Sequence, residues 1–99
     1  MRADVPLAVA WYRPSQWARL RELASDKDNL APTHAEWLAT AEKMCAEMRV
    51  RGHEIKRIDI DVEMLWAWCC AHGRALDGPA RAEYVAGRAR EMATGLSDA

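Results

Sequence analysis

Phenylalanine is missing from this chain and lysine is scarce. Its 99 residues hold 0 Phe and 3 Lys against 11 Arg and 19 Ala. Phe and Lys have AT-rich codons, Ala and Arg GC-rich ones, so the bias predicts a GC-rich bacterium or one of its phages as the source. An excess of charge is missing too. The formal net charge is −1, with both signs spread along the whole chain. That argues against an electrostatically driven nucleic-acid binder, though a local basic patch is still allowed. Cysteine is limited to 3 residues, of which Cys69 and Cys70 are adjacent. An odd number excludes a complete intrachain disulfide set, and bridging neighbours demands a strained backbone. Reduced thiols and a cytoplasmic setting are expected.

No apolar run approaches the roughly 20 residues that span a bilayer, so no membrane association is expected. The N-terminal "VPLAVAWY" is too short and too soon interrupted for a signal peptide. There are no internal repeats and no low-complexity tract. The chain has no C-x-x-C pair, no Gly-rich phosphate loop and no G-x-S-x-G turn. The expectation is no enzyme and no cofactor.

What is present suits a single domain over residues 1–99, with loose ends at 1–4 and 94–99. The apolar fraction is 51% and the charged fraction 29%, a globular rather than a disordered composition. Val5 to Tyr12 reads as a short strand, with Pro6 tolerable only near its start or on an edge. Pro14 suits a first helical turn. Trp17, Leu20 and Ala24 then form an inner stripe that ends in the loop chemistry of Ser25 to Asn29. Thr33 and Glu36 have capping-box spacing. Trp37, Leu38, Ala41, Met44, Cys45 and Met48 follow the helical period, and Gly52 is the expected stop. His34, at that helix start, is expected to be exposed.

Ile58, Ile60 and Val62 alternate with Arg57, Asp59 and Asp61, the pattern of a strand with one buried face. Asp61 is placed to cap the next helix, which stops at Gly73. Asp77 or Gly78 starts the last helix, near Pro79 to Ala93, with Ala82, Val85, Ala89 and Met92 inside. The order β-α-α-β-α-α predicts a mainly helical α/β fold with four helices and two short strands. The two-helix crossover makes those strands parallel if they pair; an all-α bundle is the alternative. A two-stranded parallel sheet is seldom stable alone. Either the strands are minor parts of a helical domain, or a second copy extends the sheet.

The stretch "MLWAWCCAHG", Met64 to Gly73, concentrates the chemistry. Cys69 and His72 lie at i, i+3, but Cys70 is turned about 100° away. Only two ligands converge locally where a structural zinc takes four. Cys45, His53 or His34 would have to complete the set, so no metal is expected. A catalytic thiol at Cys69 needs a lowered pKa and an orienting third group. Asp59 and Asp61 are the available carboxylates, and strand-edge aspartates are more often solvated or capping. Cysteine on an apolar stripe behaves as a small hydrophobe. The helix itself is apolar on every side. It is either the centre of the core or a helix with one face against a partner. Met64, Trp66, Trp68 and Cys70 are the candidate interface residues.

Two polar constellations remain. Tyr12 and Arg13 end one strand, and Asp59 and Asp61 end the other, so parallel pairing brings them together. A plain salt bridge is the simpler reading. Arg81, Tyr84 and Arg88 fall at i, i+3, i+7 on the last helix. With Arg13, Arg19 and Arg21 they form a candidate anion patch for phosphates or an acidic protein, diluted by Glu83 and Glu91. Together these readings predict a small non-catalytic cytoplasmic protein that works by association. It would be an adaptor, regulatory subunit or inhibitor, whose Met64–Ala71 helix or strand edges make a homodimer or hold another protein. The alternatives are a nucleic-acid-associated regulator using the Arg/Tyr face, and a thiol or metal site at Cys69 and His72.

Overall fold

The computed structural model describes residues 6–98, and the side chains of 6–92. The elements are β1 (Leu7–Trp11), α1 (Pro14–Leu23), a 3-10 turn (Lys27–Asn29), α2 (His34–Val50), β2 (Ile55–Asp59), α3 (Val62–Ala71) and α4 (Gly78–Asp98). The fold is mainly helical α/β, with β1 and β2 pairing in parallel in one sheet. Residues 1–4 and 99, expected to be loose, lie outside the described residues. α4 continues to Asp98, beyond the Ala93 end that the sequence suggests.

Local chemistry explains most boundaries. Pro14 opens α1. Thr33 Oγ1 accepts the Glu36 amide at 3.2 Å, while the Glu36 carboxylate takes the Thr33 hydroxyl instead of the Thr33 amide. Half of the capping box therefore forms. Asp61 accepts the amides of Glu63 and Met64 to start α3, and Asp77 accepts that of Ala80 in the first turn of α4. Gly52 and Gly73 take the left-handed φ of +94° and +63° that a side chain disfavours. Each closes its helix with a paired carbonyl pattern: Gly52 and His53 donate to Arg49 and Met48, and Gly73 and Arg74 to Cys70 and Cys69.

The sheet is short, with one face packed on the core and the other, which carries the exposed Arg57 and Asp59, only partly covered. Ala8, Ala10 and Ile58 face the main core with Leu20, Ile60, Leu65 and Leu76. Leu7, Val9 and Trp11 face the other way, and Trp11 meets Trp37 of α2 edge-on at 5.2 Å. Ile58, Ile60 and Val62 are buried while Arg57, Asp59 and Asp61 are exposed, so the alternation holds. Two ties join distant segments. Gln16 Oε1 accepts the Val62 amide at 2.6 Å, and Ser25 donates its amide to the Leu76 carbonyl at 2.9 Å.

Some expectations change. His34 is half-buried, because its Nε2 donates to the Tyr12 carbonyl at 2.7 Å and its ring lies beside Trp37. The inner stripe of α4 holds at Val85 and Ala89 but not at Ala82 and Met92. Ala80 and Val85 are buried, whereas Ala82 and Met92 are exposed and Ala89 is half-buried. Ala80 is buried in place of Ala82, and Arg81 beside it pairs with Asp26. Met44, expected inside α2, is 41% exposed. α3 is not wrapped on every side: Leu65 and Cys69 are buried, but Met64, Ala67, Cys70 and Ala71 are exposed. The central-helix reading falls, since no element among the described residues covers that face.

Candidate interaction surfaces

The first surface is the outer face of α3. Met64 is 59% exposed, with Ala67, Cys70 and Ala71 exposed beside it. Trp66 and Trp68 are half-buried and rest against the core. Glu63 is the one charged residue of this helix, and Arg19 of α1 holds it at 2.5 Å. Of the four candidate interface residues, Met64 and Cys70 look outward, and the two tryptophans are shared between core and surface.

The polar candidates do not gather into one patch. Arg13 and Asp59 stand 3.9 Å apart at the ends of the strands, both well exposed. Tyr12 is buried, and burial pushes its phenol up to about 12, against the opposing field of Arg81. Arg81 binds Asp26 through two hydrogen bonds of 2.9 Å. That geometry raises the guanidinium and holds the Asp26 carboxyl below its usual range, the Arg81 bonds being the main cause. Tyr84 meets Trp68 edge-on at 5.6 Å, and Arg88 binds Glu91 at 2.8 Å. Arg74 binds Glu83 and lies over Trp68. Each of these three α4-side arginines already has a carboxylate.

The thiols are free. Cys45 and Cys69 are buried and Cys70 is exposed. Burial raises the Cys69 thiol, opposite to the shift that activates a nucleophile. His72 turns its Nδ1 to the Trp68 carbonyl at 2.8 Å, and its ring lies tilted beside the Trp68 ring at 4.6 Å. Among the described residues no three His, Cys, Asp or Glu side chains converge to hold a metal ion. No helix among them is long and apolar enough to cross a membrane.

No family model, curated protein or solved structure matches the chain. Its surfaces therefore carry the functional reading.

The second surface lies at a strand edge, which the sequence offers as an interface without the groove beside it. A groove of about 660 Å³ runs along the free edge of β1. Ala8 and Ala10 form its floor, Val85, Ala86 and Ala89 of α4 one wall, and Trp37 and Met44 of α2 the other. The available signal was a strand, "LAVAW", with no charge to guard an edge, followed far along by alanines at 82, 86 and 89. Ala82 and Ala89 read as core spacing because a small residue suits both a core and a groove wall.

Proposed function

We propose that this protein acts by association rather than catalysis, pairing with a second copy through the outer face of α3. One observation carries the reading: a helix with almost no polar side chains leaves Met64, Ala67, Cys70 and Ala71 uncovered. Contiguous exposed apolar surface of this kind marks an interface more than a bare surface. A twofold axis lets the same patch meet itself. The small Ala67, Cys70 and Ala71 allow close approach, and the apolar face brings no like charges together. The three free thiols support a reducing, cytoplasmic setting. The nucleic-acid reading draws less support, because Arg81 and Arg88 are already bonded to Asp26 and Glu91.

Light scattering across a dilution series tests the pairing. The expected mass is twice that of the chain, falling to one chain on dilution. Met64→Lys is a cleaner disruptor than a change at Trp66, which also packs on the core. A mild oxidant should link Cys70 to its mate across the axis, and Cys70→Ala should abolish the link. A strict monomer at the highest concentration, with no cross-link, sinks the reading.

A further inference from the structure

We propose that the groove along β1 receives an extended, acidic peptide segment of another protein as a third strand of the sheet. This site is separate from the α3 face and does not depend on the pairing there. The backbone makes the first argument. Leu7 donates to the Glu54 carbonyl, and Ile60 donates to that of Trp11. In the parallel register Leu7↔Ile55 to Trp11↔Asp59, these bonds turn the N–H and C=O groups of Leu7, Val9 and Trp11 toward β2. The same groups of Ala8 and Ala10 therefore point to the free edge, where no described residue bonds them. An extended chain laid there completes both residues.

The edge is also unguarded. β2 carries Lys56, Arg57 and Asp59, the kind of charge that blunts a strand edge, whereas β1 carries none. Alternate side chains of an incoming strand meet different walls. One set faces the alanine-lined wall of α4, and the other faces Trp37 and Met44.

Charge selects the occupant. The charged residues lining the groove are Arg81 and Arg90, with no acid among them. Asp26 already holds Arg81, whereas Arg90 is exposed and pairs with no described carboxylate. A second copy across a twofold axis would bring arginines toward arginines. A segment with glutamate or aspartate beside its apolar residues meets them with opposite charge.

The probe is a short fluorescein-labelled peptide of alternating valine and threonine with glutamate at each end. Its anisotropy is followed against the full chain. Saturable binding is expected. Versions N-methylated at alternate amides, in both registers, separate backbone pairing from mere apolar contact, and one of them should lose binding. Lysine ends should weaken binding by about tenfold, as should Arg90→Glu. Ala10→Pro removes only an outward N–H, which an edge strand tolerates. It should also weaken binding by about tenfold or more. Met64→Lys should leave the affinity unchanged, which separates this site from the α3 face. No saturable binding, or equal binding of both methylated peptides, overturns the proposal. So does an apolar helical peptide that binds more tightly and ignores Ala10→Pro. Loss of dimer mass on Ala10→Pro, with no peptide binding, would assign the groove to a second copy instead.

Discussion

Arg81 and Asp26 come from opposite halves of the chain, 55 residues apart, yet their side chains are only 16% and 19% exposed. The planar guanidinium matches the carboxylate with two parallel bonds, a stronger arrangement than a single surface contact. It ties the loop after α1 to the first turn of α4, next to the bond from Ser25 to Leu76. Removing one partner leaves the other half-buried and unpaired. Asp26→Asn should therefore destabilise the fold by about 2 kcal/mol at neutral pH, as read from urea unfolding. The pH dependence has a definite sign. Arg81 lowers the folded Asp26 pKa, so its contribution is complete above the unfolded carboxylate value of about 4. It is lost as pH falls through the lower folded value. The stability gap between wild type and Asp26→Asn should thus close below about pH 4. A gap that stays constant through that window rules out the ion pair as its source.

At the scale of elements, the glycines give a signed comparison. Gly73 closes α3 at a φ of +63°, with open space where a Cβ would stand. Gly73→Ala should cost about 1 kcal/mol from backbone strain alone. Gly87 lies within α4, and a Cβ there meets only the tip of Arg90 at an ordinary 3.8 Å. Gly87→Ala should instead stabilise by about 0.5–1 kcal/mol. Thermal melts of the two variants, shifting in opposite directions, check both signs. Helix starts and stops were readable in the sequence because caps are local: Thr33, Asp61, Asp77, Gly52 and Gly73 act within a few residues of themselves. The facing of the first turn of α4 was not readable. Ala80 and Ala82 are the same residue type, and the partner of Arg81 between them, Asp26, lies 55 residues away. His34 is similar, since its partner is the Tyr12 carbonyl, 22 residues earlier.

At the scale of the molecule, the order of elements and the parallel pairing followed from periodicity and crossover length, but the surfaces did not. Hydrophobic patterning says that a helix is apolar. It does not say how many neighbours are left to cover it. In α3 the pattern fits a fully buried helix, and the fold leaves one side uncovered because α1 and α4 occupy only part of its circumference. The β1 groove was missed for a related reason: alanine satisfies both readings. If the exposed α3 face pairs with its mate, folding and association become one equilibrium. The melting temperature then depends on concentration. With about 0.7 kcal/mol of unfolding enthalpy per residue, a dimer should melt about 3–4 °C higher for each tenfold rise in protein concentration. Met64→Lys should flatten that dependence while the chain still unfolds cooperatively. A wild-type melt that is flat across two tenfold steps would mean that folding is complete within one chain and that the α3 face is left open.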